Sequence, residues 1–136
     1  MSYSELIAKA NEARKGAYAP YSEFTVGAAL LCRNGKVYTG CNIENASYGA
    51  TICAERTAIF KAVSEGEGEF EAIAIVGAPQ GKDYEFCPPC GMCRQVMTEF
   101  CDLDNFKIVL SNGNEDRVYT LREMIPYSFD NLNDKR

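Results

Sequence analysis

Ile52-Cys-Ala-Glu-Arg-Thr-Ala-Ile-Phe-Lys-Ala-Val-Ser-Glu65 reads as a helix. Ala54, Ala58, Ile59, Ala62 and Val63 recur at helical spacing, and Gly66 supplies the stop. The chain then enters Phe70-Glu-Ala-Ile-Ala-Ile-Val76, whose apolar run from Ile73 to Val76 has the character of a buried strand. Residues 77–89 hold three prolines and two glycines and read as a loop. Beyond it, Cys90 to Phe100 reads as another helix and Phe106 to Leu110 as another strand. Helix, strand, helix, strand is the rhythm of an α/β protein.

The flanks extend that pattern. Ser4 to Gly16 predicts an opening helix with Leu6, Ile7, Ala10 and Ala13 on one face. A turn at Ala19-Pro20-Tyr21-Ser22 precedes a strand over Phe24 to Cys32. Asn34-Gly35 is a strong hairpin signal, and Lys36 to Cys41 is the returning strand. Asn42 to Thr51 reads as an irregular polar loop. A short strand near Val118, a helical turn from Leu121 to Ile125 and a polar tail from Asp130 to Arg136 complete the chain. The expected order is α-β-β-α-β-α-β-β-α. That predicts a single domain over residues 1–136, a three-layer α/β/α arrangement around a mixed five-stranded sheet.

Composition narrows the function. A chain of 136 residues with 46% apolar content suits one soluble globular domain. No apolar run approaches a membrane span, and Leu6-Ile7-Ala8 is too short for a signal-peptide core, so a cytoplasmic protein is expected. The net charge of −5 comes from scattered acidic residues and disfavours nucleic-acid partners. A small neutral substrate suits this balance better.

The seven cysteines and the absence of histidine restrict the chemistry to thiolates, carboxylates, lysine, tyrosine or water. Cys53 and Cys90 fall at predicted helix starts, and Cys93 follows Cys90 by about one turn, on the same face. Helix N-termini favour thiolates, the form that binds zinc. Three such ligands leave a fourth position open for water. Glu55, two residues after Cys53, is poorly spaced to share the ligand role but can reach such a water and carry its proton. Three thiolates around a divalent ion leave excess negative charge, which Arg56, or failing that Arg94, could offset. An ordinary surface arginine is the alternative reading for Arg56. Cys32, Cys41 and Cys101 read as small buried hydrophobes, while Cys87 is an extra thiol close to the cluster.

The pattern C-A-E…P-C-x-x-C matches a known signature, H-x-E…P-C-x-x-C of the zinc deaminases, in its three-cysteine variant. Further segments extend the match: Tyr18-Ala-Pro-Tyr-Ser-Glu-Phe24, Val26-Gly-Ala-Ala-Leu30, Gly40-Cys-Asn-Ile-Glu-Asn-Ala46, Cys53-Ala-Glu-Arg-Thr-Ala58 and Pro89-Cys-Gly-Met-Cys-Arg-Gln95. On these residues the chain resembles the cytidine deaminase family, in its short homotetrameric form.

The resemblance implies hydrolytic deamination of cytidine and deoxycytidine to the uridines, in pyrimidine salvage. It implies one zinc per chain on Cys53, Cys90 and Cys93. Water made nucleophilic at the metal adds to C4, with Glu55 as proton shuttle. Arg56 would moderate the thiolate charge. Asn42 and Glu44 would meet the ribose, Phe24 would pack on the pyrimidine, and Ala54 would also contact substrate. Phe129 would close a neighbouring subunit's site in a homotetramer. Pro88 departs from the family's frequent serine and stiffens the loop before Cys90.

Three other readings compete. A structural zinc module would recruit Cys87 or Cys41 as a fourth ligand and leave Glu55 without a role. A dithiol oxidoreductase would use Cys90 and Cys93, but two strands here precede the second helix. A blasticidin-type aminopyrimidine deaminase shares three cysteines, and Asn42-Ile-Glu44-Asn-Ala46 favours the nucleoside enzyme over it.

Overall fold

A computed structural model describes residues 1–130. The polar tail expected beyond Asp130 lies outside these residues. The element order is α1 (Tyr3–Arg14), β1 (Phe24–Cys32), β2 (Val37–Cys41), α2 (Ala54–Ser64), β3 (Phe70–Pro79), α3 (Gly91–Phe100), β4 (Lys107–Ser111), β5 (Asp116–Thr120) and α4 (Leu121–Met124). One mixed sheet runs β2-β1-β3-β4-β5. Its only parallel pair among these strands is β3 with β4; the other three neighbouring pairs are antiparallel.

Alternation along the central strands sends apolar side chains to both faces, because both are covered. Ala29, Leu31, Ala72, Ala74, Val76 and Val109 pack against Leu6, Ile7 and Ala10 of α1. The intervening Leu30, Ile73, Ile75 and Ile108 pack with Ala58, Ile59 and Ala62 of α2, Met97 of α3 and Leu121 of α4. Each fully buried Leu or Ile contributes roughly 1.5–3 kcal/mol over its exposed state. The expected three-layer α/β/α architecture around five strands is the one observed.

Most element boundaries shift by one to three residues from the sequence reading, α2 among them at Ala54–Ser64, and three shifts have a clear physical cause. α1 begins at Tyr3 because the Ser2 hydroxyl caps it, accepting from Glu5 N at 3.1 Å. It closes at Arg14, before Gly16, as Lys15 N and Gly16 N donate to the carbonyls three residues back. β3 runs on to Pro79, since β1 pairs with it over its whole length, from Phe24↔Pro79 inward. A proline at the strand end removes little from that ladder. The stretch after β2 is less irregular than expected. Ile43 bridges both Tyr18 and Ile52, and a 3₁₀ turn occupies Tyr48–Ala50.

β2 and β3 point the same way, both antiparallel to β1 between them. The end of β2, the end of β3 and the start of β1 therefore share one rim of the sheet. α2 and α3 begin in the connections that follow β2 and β3, so their N-termini return to that rim. Ligand sites of α/β sheets gather outside such carboxyl ends.

Gly40 sets how closely α2 approaches. A Cβ at Gly40 would lie 2.5 Å from Ala54 O and 2.6 Å from Ala58 N. We predict that Gly40→Ala costs stability at the upper end of about 1–3 kcal/mol, because the obstructing atoms are backbone. Chemical denaturation would read this; an unchanged midpoint would mean that the helix can lift without penalty.

Candidate metal centre and active site

Cys53 and Cys90 occupy the N-cap positions of α2 and α3, with extended backbone at φ −78°, ψ 155° and φ −69°, ψ 169°. Neither side chain caps its own helix, so both sulfurs are free for another partner. Cys93 lies in the first turn of α3. Cys53 Sγ and Cys90 Sγ are 3.6 Å apart, and all three sulfurs lie within 4.8 Å of one another. Tetrahedral zinc with bonds of about 2.3 Å requires sulfur–sulfur spacings of about 3.8 Å. The trio fits one zinc ion per chain. Among the described residues it is the only such group of three or more potential ligands. Neither Cys87 nor Cys41 joins it, and the closed four-cysteine site is not formed.

Burial is graded across the trio: Cys93 is buried, Cys53 half-buried and Cys90 exposed. The Cys53 thiol is held well below its ordinary range by a hydrogen bond with Cys93, against burial and with help from Arg56. The same bond and burial push Cys93 up. Of this pair, the thiol beside the guanidinium, Cys53, is the one that ionises more readily.

Arg56 Nη2 donates to Cys53 Sγ at 3.5 Å. Its Nε is buried without a hydrogen-bond partner among the described residues. A buried orphan donor on a cation beside three thiols suits a charged thiolate cluster better than neutral thiols. Arg94 is committed elsewhere, donating to Pro89 O at 2.8 Å and Met124 O at 2.7 Å. It ties the loop before Cys90 to α4.

Glu55 is 4% exposed in the first turn of α2. Burial pushes its carboxyl up to about 7 against an opposing backbone hydrogen bond, and the charge of Cys53 adds to the rise. A carboxyl near neutrality can both take and give a proton.

Of the remaining sequence candidates, Phe24, Asn42, Glu44 and Ala54 belong to the strand ends and helix start at this rim. Phe24 starts β1 and is 36% exposed. Ala54 is fully buried in the first turn of α2, where N–H groups have no intrahelical acceptor. Asn42 follows β2 and extends its hold on β1: Oδ1 accepts from Val26 N at 2.8 Å and Nδ2 donates to Phe24 O at 2.9 Å. Glu44 Oε1 accepts from Tyr21 N at 2.9 Å and Ser22 N at 3.1 Å. Phe129 is largely exposed, and its carbonyl accepts from Gln95 Nε2 at 2.7 Å. Cys87 packs against Gly77 at the Phe24 ring, and burial pushes its thiol up to about 12.

Sequence reasoning did not find Tyr21, Ser22, Tyr48 and Thr51. With Glu44 and Asn45 they line an open cleft of about 360 Å³. The contact of Ser22 with Glu44 spans 22 residues and depends on the Tyr18–Ile43 bridge, which no local pattern announces.

Comparison with known proteins agrees with this geometry. Residues 1–109 match the family model "Cytidine and deoxycytidylate deaminase zinc-binding region". A cytidine deaminase from Halalkalibacterium halodurans is 50% identical over 98% of this chain and 100% of its own. The crystal structure of cytidine deaminase from Burkholderia pseudomallei superposes with a TM-score of 0.86 at 48% identity, covering 95% of this chain and 100% of that one. A blasticidin-S deaminase from Bacillus cereus is more distant, 32% identical over 76% of each chain. With the family model covering four fifths of its length and a full-length relative at half identity, the chain belongs to the cytidine and deoxycytidylate deaminase family.

Proposed function

We propose that the chain is a zinc-dependent cytidine deaminase, a single catalytic domain over residues 1–136. It converts cytidine and deoxycytidine with water to uridine and deoxyuridine plus ammonia. The observation that carries this reading is the buried Glu55 carboxyl beside a three-sulfur cluster that no fourth cysteine joins. A purely structural zinc site has no use for such a carboxylate.

Cys53, Cys90 and Cys93 would hold the zinc ion, which when bound would lower the pKa of water and so supply the nucleophile. Glu55 does the proton work. Its carboxylate takes a proton as water adds to C4, and delivers it to the ring at N3. It then moves the proton of the new C4 hydroxyl to the exocyclic nitrogen, so that the C4 carbonyl forms as the C4–N bond breaks and ammonia leaves. Arg56 holds the Cys53 sulfur as thiolate and offsets the excess negative charge of the cluster. Phe24 packs on the pyrimidine, Ala54 contacts it from the helix start, and Asn42 and Glu44 meet the ribose.

The Ser22 hydroxyl and then backbone N–H groups hold the Glu44 carboxyl below its ordinary range, so it is ionised at neutral pH. An ionised carboxylate accepts a sugar hydroxyl and repels a phosphate, favouring nucleosides over nucleotides. The reading includes a homotetramer in which Phe129 closes an adjacent site, and a cytoplasmic role in pyrimidine salvage. Exposed Tyr21, Tyr48 and Phe129, at 52%, 79% and 67%, supply apolar surface for such an assembly. Among the described residues no helix is long and apolar enough to cross a membrane.

Zinc content, sedimentation and ammonia release should be measured on one preparation. The expected result is about one zinc per chain, a four-chain assembly and stoichiometric ammonia from cytidine. Zinc without turnover of cytidine, deoxycytidine or blasticidin S would restore the structural-zinc reading. Turnover of blasticidin S alone would transfer the chain to that specificity.

A further inference from the structure

Glu44 is gripped by the turn that precedes β1. A carboxylate has about four lone-pair sites, two on each oxygen. Oε1 accepts from Tyr21 N at 2.9 Å and Ser22 N at 3.1 Å, which fills it. Oε2 accepts from the Ser22 hydroxyl. The proton of that hydroxyl has one assignment, because Ser22 Oγ also accepts from Phe24 N at 3.0 Å and so has its hydrogen free for Glu44. One acceptor site remains open, and it is on the oxygen that Ser22 orients.

The turn itself is built for this grip. Glu23 adopts φ 56°, in the left-handed region that a glutamate seldom enters. It is fixed there from both sides, as its N–H donates to Ala19 O at 3.0 Å and its carbonyl accepts from Gln80 N at 2.7 Å. The bend turns the Phe24 N–H back onto Ser22 Oγ. One hydroxyl thereby joins the carboxylate expected to meet the sugar to the residue expected to face the base.

We infer that Ser22 is a positioning residue for sugar recognition, holding Glu44 so that it presents a single acceptor on Oε2 to a 2′ or 3′ hydroxyl of the nucleoside. The inference rests on the proposed ribose role of Glu44. Loss of the Ser22 hydroxyl leaves Oε2 with two open sites and frees the carboxylate to rotate. Binding of the sugar then weakens, while the proton chemistry at Glu55 is untouched.

Steady-state kinetics on Ser22→Ala, Ser22→Thr and Glu44→Gln, each checked for zinc content, should be compared on cytidine and 2′,3′-dideoxycytidine. Ser22→Ala is expected to raise KM for cytidine roughly tenfold, the scale of one hydrogen bond to a charged group, with kcat within about twofold. With dideoxycytidine, which lacks the 2′ and 3′ hydroxyls and keeps only the 5′ one, the same variant should raise KM far less than it does for cytidine. Ser22→Thr, which keeps the hydroxyl, should restore most of the cytidine KM. Ser22→Ala overturns the inference if it leaves the cytidine KM unchanged or raises both KM values equally. If Glu44→Gln raises the cytidine KM while Ser22→Ala does not, only the role of Ser22 fails. If neither moves it, the ribose role of Glu44 fails with it.

Discussion

Glu55→Gln is expected to keep about one zinc per chain and to lose on the order of 10³-fold in kcat. Glutamine has nearly the same volume, so the first turn of α2 keeps its packing at a position only 4% exposed. Burial already opposes ionisation of this carboxyl, and a neutral amide therefore costs the fold little. The amide cannot carry a proton between water and the pyrimidine. Substrate affinity should change far less than turnover, because the loss falls on the transition state. Near-normal turnover with zinc retained would remove Glu55 from the mechanism.

Cys90→Ala is expected to reduce bound zinc to under roughly a tenth of an ion per chain and to abolish measurable deamination, as a two-thiolate site lacks a tetrahedral ligand set. Cys90 is the best of the three ligands for this test because it is exposed. Replacing Cys93, fully buried in the core, would also open a cavity and confuse metal loss with unfolding. Cys87→Ala is the matched control and should retain its zinc. Its thiol lies outside the cluster, and burial holds it protonated. Equal zinc loss in both variants would make Cys87 a ligand and close the open site.

Much of this was legible in the sequence, for physical reasons. The apolar run over Phe24–Cys32 and the Asn34-Gly35 turn foretold β1 and β2, and the order of elements followed from helical periodicity together with glycine and proline signals. The three sulfurs were legible because ligand spacing is local for Cys90 and Cys93, and because all three lie at helix starts. The extension of β3 to Pro79 was not, since Gly77 and Pro79 signal a break that pairing with β1 overrides. The choice between Arg56 and Arg94 was equally closed to inspection. It depends on Pro89 and Met124 offering carbonyls to Arg94, and the second of these is 30 residues away. The grip of Ser22 on Glu44 belongs to the same class of long-range, side-chain-specific contact.

The bare Gly40 beneath α2 has a mechanical consequence. The first turn of the helix, which carries Glu55 and follows directly on Cys53, rests on strand backbone without an intervening side chain. Its height above the sheet is therefore fixed by main-chain contact, while Ile59 and Ala62 farther along rest on side chains that can repack. Volume changes among those distal residues tilt or loosen the far end of the helix about a fixed foot. The protein can thus absorb sequence drift in its core while the first ligand and the proton carrier keep their registration.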